Sequence, residues 1–189
     1  STTLDATITR VTDEQSFSAA ADFSATDNPA GPWSYGFGLA DVRFERYSMV
    51  NLFDGIALWH KSDHLDLEVS TLTFNGPSSS TGTECGDILP GQLVLQPRDP
   101  GQPSIVRWTA PESGRIQIAA SFTGVDCDAA AVSVLQAAAG SQTSTILFQG
   151  STERFGSGTS FSGFSDVSAG DTIDFVVDSI TGFRVDGAA

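Results

Sequence analysis

Ser104-Ile105-Val106-Arg107-Trp108-Thr109-Ala110-Pro111-Glu112-Ser113-Gly114-Arg115-Ile116-Gln117-Ile118-Ala119-Ala120-Ser121-Phe122-Thr123 is the stretch on which the fold turns. Successive side chains of an extended chain point to opposite faces, so Val106 and Trp108 share one face before the turn, and Ile116, Ile118 and Phe122 share one after it. Pro111 presets its own φ and Gly114 tolerates a positive one. Pro111-Glu112-Ser113-Gly114 therefore reads as the turn of a β-hairpin.

Working outward, the same alternation recurs along most of the chain. Phe17-Ser18-Ala19-Ala20-Ala21-Asp22-Phe23 sets Phe17, Ala19, Ala21 and Phe23 on one face of a half-buried strand. Val132 and Val134, Ile146 and Phe148, and Ile173, Phe175 and Val177 repeat the pattern, the last set after an Ala169-Gly170-Asp171 turn. The Ala-rich residues 129–139 suit a helix by propensity, but Val132-Ser133-Val134 turns the reading to a strand. About ten or more short strands follow, enough for an all-β, antiparallel two-sheet β-sandwich or jelly roll. Two regions read as irregular: Asn75 to Gly91, rich in Ser, Gly and Pro, and Asp54 to Asp66, polar around Trp59. Residues 15–189 read as one sandwich domain, with the Ser/Thr-rich residues 1–14 as an extended amino-terminal segment poor in strand pattern.

Charge narrows the partners. The chain of 189 residues carries a net charge of −14, and Lys61 is its only lysine. No basic stripe is available to release counterions from nucleic acid, and anionic membranes are equally poor partners. A carboxylate surplus suits divalent cations, neutral glycans or a high-salt medium. No run approaches the ~18 apolar residues of a membrane helix, and Ser1-Thr2-Thr3 lacks the blocks of a signal peptide, as in a mature exported form. Cys85 and Cys127 lie in polar, Gly- and Asp-rich surroundings without zinc spacing, which points to a disulfide contributing about 4 kcal/mol in an oxidising compartment. A secreted, extracellular or cell-surface location follows.

Trp33, Tyr35 and Phe37 alternate with Ser34, Gly36 and Gly38, so three rings share one side of a strand whose other side is nearly bare. Exposed, they form a platform for the flat C–H faces of sugars; buried, they fill the core between sheets; and the bare side lets another backbone approach. Trp59 adjoins the most polar stretch and is a second candidate for ligand contact, whereas Trp108 reads as packing. His60 and His64, with Asp63 and Asp66, offer polar partners for a ligand. They hold zinc or copper only if the segment loops back or a helical turn brings i and i+4 together, since on a strand they stand ~13 Å apart. Asp27, Asn28, Asp126 and Asp128 supply hard oxygen donors for a structural Ca2+. No nucleophile elbow, phosphate loop or dinucleotide fingerprint occurs, so no enzyme is expected, although 23 acidic residues leave a glycosidase pair formally open.

Asn28-Pro29-Ala30-Gly31-Pro32-Trp33-Ser34-Tyr35-Gly36, Val106-Arg107-Trp108-Thr109-Ala110-Pro111 and Ala169-Gly170-Asp171-Thr172-Ile173-Asp174-Phe175 together resemble a bacterial extracellular β-sandwich domain of large secreted and surface proteins. That domain is similar to carbohydrate-binding modules of the galactose-binding-like jelly-roll type. The resemblance runs from about Phe17 to the carboxyl end and carries no catalytic residues. It implies glycan attachment or a structural role outside the cell. The expected function is a non-catalytic extracellular module that binds a polysaccharide or glycan through Trp33, Tyr35 and Trp59, with His60, Asp63 and His64 as polar partners. The alternative is a structural subunit of a filament, matrix or surface layer. Such a subunit self-associates through strand edges or through residues 1–14 donated to a neighbour.

Overall fold

The computed structural model describes residues 2–38, 44–53, 56–61, 72–75, 79–83, 86–88, 91–97, 102–125, 128–153, 156 and 158–180. These residues form an antiparallel all-β sandwich. In chain order its strands are β1 (Thr2–Arg10), β2 (Ser16–Ser18), β3 (Trp33–Gly38), β4 (Phe44–Arg46), β5 (Met49–Phe53), β6 (Ile56–His60), β7 (Leu72–Asn75), β8 (Ser79–Thr83), β9 (Gly86–Ile88), β10 (Leu93–Gln96), β11 (Ser104–Thr109), β12 (Gly114–Gly124), β13 (Ala130–Ala137), β14 (Thr145–Thr152), β15 (Gly158–Val167) and β16 (Thr172–Ser179). The larger sheet runs β15-β12-β1-β10-β7-β6-β5, with β2 also paired to β1, and the smaller runs β14-β13-β16-β11-β3-β4. A separate β8-β9 ladder occupies part of the expected Asn75–Gly91 loop, and β6 lies within the expected irregular stretch Asp54–Asp66.

The deciding stretch is not a hairpin. Its strands β11 and β12 belong to different sheets, each pairing with other partners. Val106 and Trp108 from one side, and Ile116, Ile118 and Phe122 from the other, are all buried in a single core. Alternation reports which face a residue takes; it does not report whether the next strand lies beside or across. Ala169-Gly170-Asp171 makes a second such crossing, between β15 and β16.

Residues 1–14 also need correction. Thr2–Arg10 is an internal strand, matched to β12 along its whole length and to β10 and β2 on its other side. Leu4, Ala6 and Ile8 are buried core residues. The segment reads as strand-poor because few of its inward residues are large and apolar and its outward ones are Thr and Asp. Phe17–Phe23 is a strand only as far as Ser18; the Asp22 carboxylate then accepts the Ser18 amide at 2.9 Å and turns the chain.

Aromatic rings bridge the sheets. Phe17 beside β1 meets Trp108 of β11 at 5.8 Å between centroids, while Trp33 and Phe175 meet within the small sheet at 6.1 Å. Each such ring removed from water stabilises the fold by roughly 1.5–3 kcal/mol. At one edge β14 and β15 close the sandwich, and Phe148 stacks on Phe161 at 5.6 Å. The two sheets differ outside. In β12 the alternation is clean, and the outward residues Arg115, Gln117, Ala119 and Ser121 face water. The middle strands of the small sheet are largely buried on both faces: Ile105, Ser133, Asp174, Val176 and Asp178 all point away from the main core and are still buried, while the border strands β14 and β4 are open to water.

Candidate functional site

The aromatic stripe is core. Trp33, Tyr35 and Phe37 are 0–1% exposed and Trp59 is 6% exposed, so none presents a ring face to a polymer, which corrects their reading as a surface platform. Their polar tips are gathered under residues 19–32: the Trp33 indole N–H donates to Asp22 Oδ2 at 3.2 Å, and that of Trp59 to the Ser24 carbonyl at 2.7 Å. Phe23 from the same loop packs on Tyr35 at 4.9 Å. Burial, together with the nearby Asp22 charge, pushes the Tyr35 phenol well above its ordinary value, only partly opposed by the Ser24 backbone. The bare side of β3 behaves as its composition suggests: the Phe44 ring and the Glu45 carbonyl sit where a Cβ on Gly36 would be.

The motif before the stripe is a clip. Asn28 Nδ2 donates to the carbonyls of Tyr35 and Tyr47 at 2.8 and 2.9 Å, and Asn28 Oδ1 accepts the Tyr35 amide at 2.9 Å. The segments Asn28–Gly36, Val106–Pro111 and Ala169–Phe175 are neighbours in the structure. Trp33 pairs with Trp108, and Trp108 with Ile173; Ser34 pairs with Arg107, and Arg107 with Asp174. Their turns are joined as well, through Thr109 N to Pro32 O, Ala110 N to Asp171 O and Gly170 N to Ala110 O. These three segments therefore make up the centre of the small sheet.

Among the described residues, the other expected ones do not assemble into a site. His60 is 1% exposed, and Lys61 places its ammonium 4.4 Å from the centroid of the Phe37 ring. Burial of His60 removes it as a surface ligand contact. Asp63 and His64 lie outside the described residues, as do Cys85, Cys127 and Asp126. Asn28 is engaged with backbone, and Asp27 Oδ2 accepts hydroxyls of Thr26 and Ser24 within its own turn at 2.8 and 3.3 Å. Asp128 is described, and no group of three His, Cys, Asp or Glu converges on a metal position among the described residues.

A different surface has the required properties. Phe164 is 59% exposed, the most exposed large apolar side chain among the described residues. It sits on the outer face of β15, opposite Gln117 of β12, which is in turn opposite Thr9 of β1. Arg115 lies with its guanidinium carbon 5.3 Å from the ring centroid. Thr9, Arg10, Val11, Glu14, Gln117 and Phe164 line an open cleft of about 390 Å³. Glu14 is held there with φ of 57°, in the left-handed region that non-glycine residues adopt at a cost of roughly 1–2 kcal/mol. The turn is fixed by Arg10 N to Gln15 O at 2.8 Å, and by Arg10 Nη2 to Glu112 at 2.9 Å.

From this cleft a track of short side chains runs along the sheet. Its rows are Thr7, Ala119 and Ser162; then Asp5, Ser121 and Ser160; then Thr3, Thr123 and Gly158, where Thr3 is buried with its hydroxyl donating to the Thr123 carbonyl at 3.2 Å. Thr9 and Ser16 hydroxyls meet at 3.2 Å beside it. From Arg115 to Thr123 the track extends ~27 Å at the usual strand rise. Asp5 is the only charged residue of these three rows, and Arg115 faces Asp166 at the cleft end, in a chain of net charge −14. Comparison with family models, with curated proteins and with solved structures returned no match. The sequence does hold a signal for Phe164: within β15 it shares parity with Ser160, Ser162 and Asp166, whereas Phe161 and Val167 share the other face.

Proposed function

We propose that the chain is a non-catalytic extracellular module that binds a neutral polysaccharide or glycan along the outer face of β15, β12 and β1. The observation that carries this reading is the exposed Phe164 ring in a cleft whose other walls are Val11 and amide, hydroxyl, guanidinium and carboxylate groups. A sugar offers one apolar C–H face to stack on the ring and a rim of hydroxyls that both donate and accept. The track beyond the cleft is low, hydroxyl-bearing and nearly uncharged, which suits an extended polymer of uncharged units. The acidic remainder of the surface repels anionic ones.

The test is retention of the purified chain on a panel of soluble and insoluble neutral polysaccharides, with calcium and with chelator, while light scattering follows its mass. Phe164→Ala is expected to reduce retention about tenfold or more, equivalent to ~1.4 kcal/mol, while unfolding stability stays within ~0.5 kcal/mol. Unchanged retention would remove Phe164 from the contact. No retention by any polysaccharide, with mass growing with concentration, would favour a self-associating structural subunit.

A further inference from the structure

On the opposite sheet a second concavity of about 300 Å³ lies between the β13–β14 loop and the β3–β4 pair, with Arg107 and Asp174 on its floor. Arg107 Nε and Nη2 donate to the two carboxylate oxygens of Asp174 at 2.6 and 2.7 Å. Asp174 is almost fully buried, and its side of the pair faces the sheet; Arg107 retains 23% side-chain exposure. Its Nη1 donates no hydrogen bond among the described residues. The Phe44 ring lies 4.1 Å from the guanidinium carbon and holds the fork in plane.

The chemistry of this floor is specific. Asp174 cancels the Arg107 charge, so a ligand anion gains little, but a guanidinium edge remains that can only donate. A neutral acceptor satisfies it. Ala137, Ala138 and Phe44 supply apolar wall, and Gln142, Thr143 and Thr172 supply polar groups at the rim. An acetamide combines a strong neutral acceptor with a methyl to set against such a wall. Volume at the lower end of ligand pockets fits a single sugar ring.

We propose that this concavity binds an N-acetylated sugar unit, its acetamide carbonyl accepting from Arg107 Nη1 and its methyl packed against Ala137, Ala138 and Phe44. The site lies on the other sheet and does not depend on Phe164. Burial and the Arg107 partner act oppositely on Asp174, with burial the larger, so its ionised form requires the fork to stay intact. The ligand therefore uses the edge that the pair leaves over.

The experiment is a side-chain and backbone ¹⁵N NMR titration of the full chain with methyl glycosides of N-acetylglucosamine, glucose and glucuronic acid, each to roughly 10 mM, above the ~1 mM constant of a weak small ligand. The acetamido sugar is expected to shift Arg107 and the amides of Gly140–Ser144 saturably, at least about tenfold more tightly than the glucoside. It should do so equally in Phe164→Ala, and not in Ala138→Trp, whose indole fills the concavity from an exposed position. Equal binding of the glucoside would overturn the acetamide assignment, and tightest binding of the glucuronide would overturn the neutral floor. Absence of saturable shifts, or binding that survives Ala138→Trp in a protein of unchanged thermal stability, would overturn the site itself.

Discussion

Strands β3 and β15 are close in composition and opposite in fate. Trp33-Ser34-Tyr35-Gly36-Phe37-Gly38 and Thr159-Ser160-Phe161-Ser162-Gly163-Phe164 both interleave rings with Ser and Gly, yet every residue of β3 is buried while β15 alternates and presents Phe164 to solvent. Place in the sheet makes the difference. β3 lies inside the small sheet, with the opposing sheet on one side and the Phe44 ring over its glycine on the other. β15 is the border strand of the large sheet, and its outer face has no layer above it among the described residues. An aromatic stripe therefore says that rings share a face; the neighbours of the strand decide whether that face is wet.

Truncating each strand should separate the two fates. The largest effect is expected from Trp33→Ala, which removes a fully buried ring packed on Phe175 and should cost about 3–5 kcal/mol in denaturant unfolding, taking any ligand retention with it. If Trp33→Ala instead weakened binding at unchanged stability, the stripe would be a surface after all. Gly36→Ala comes next: its Cβ collides with the Glu45 carbonyl and the Phe44 ring, so β4 must shift, at about 1–3 kcal/mol. A neutral outcome would mean that β4 is held less tightly on β3 than the pairing indicates.

Tyr35→Phe should be the mildest near neutrality, within about 1 kcal/mol of wild type in either direction because the buried hydroxyl has no hydrogen-bond partner to lose among the described residues, and diagnostic at alkaline pH. The folded phenol ionises above its ordinary value near 10, so the native state keeps a proton that the unfolded chain releases. That contribution is complete below pH ~10 and is lost as pH rises beyond it. Chemical denaturation across the alkaline range should show the wild type falling more steeply than Tyr35→Phe. Parallel slopes would mean that the phenol is reached by water.

The all-β reading was available in the sequence because alternation is a local signal and recurs in β11, β12, β13 and β16. Sheet membership was not, since the turn at Pro111–Gly114 suits a hairpin as well as a crossing, and only the fate of Val106 and Ile118 in one common core distinguishes them. Burial on both faces of β13 and β16 was equally hidden: Ser133, Asp174 and Asp178 carry polar side chains that alternation assigns to water. The Phe164 cleft draws on three strands from residues 9 to 164 and on a left-handed Glu14, none of which a linear reading joins. Only the parity of Phe164 within its own strand was legible.

Strand β1 has a consequence for how the chain is made. Its neighbour along its full length, β12, follows on the order of a hundred residues later. At ~5–20 residues per second of synthesis, Thr2–Arg10 waits roughly 5–20 s before that partner exists. During this interval the strand has nothing native to hold on its β12 side, and the sheet cannot close around it. Its outward Thr and Asp5 side chains then serve a second purpose, keeping a waiting ribbon hydrated and unattractive to other unfinished chains.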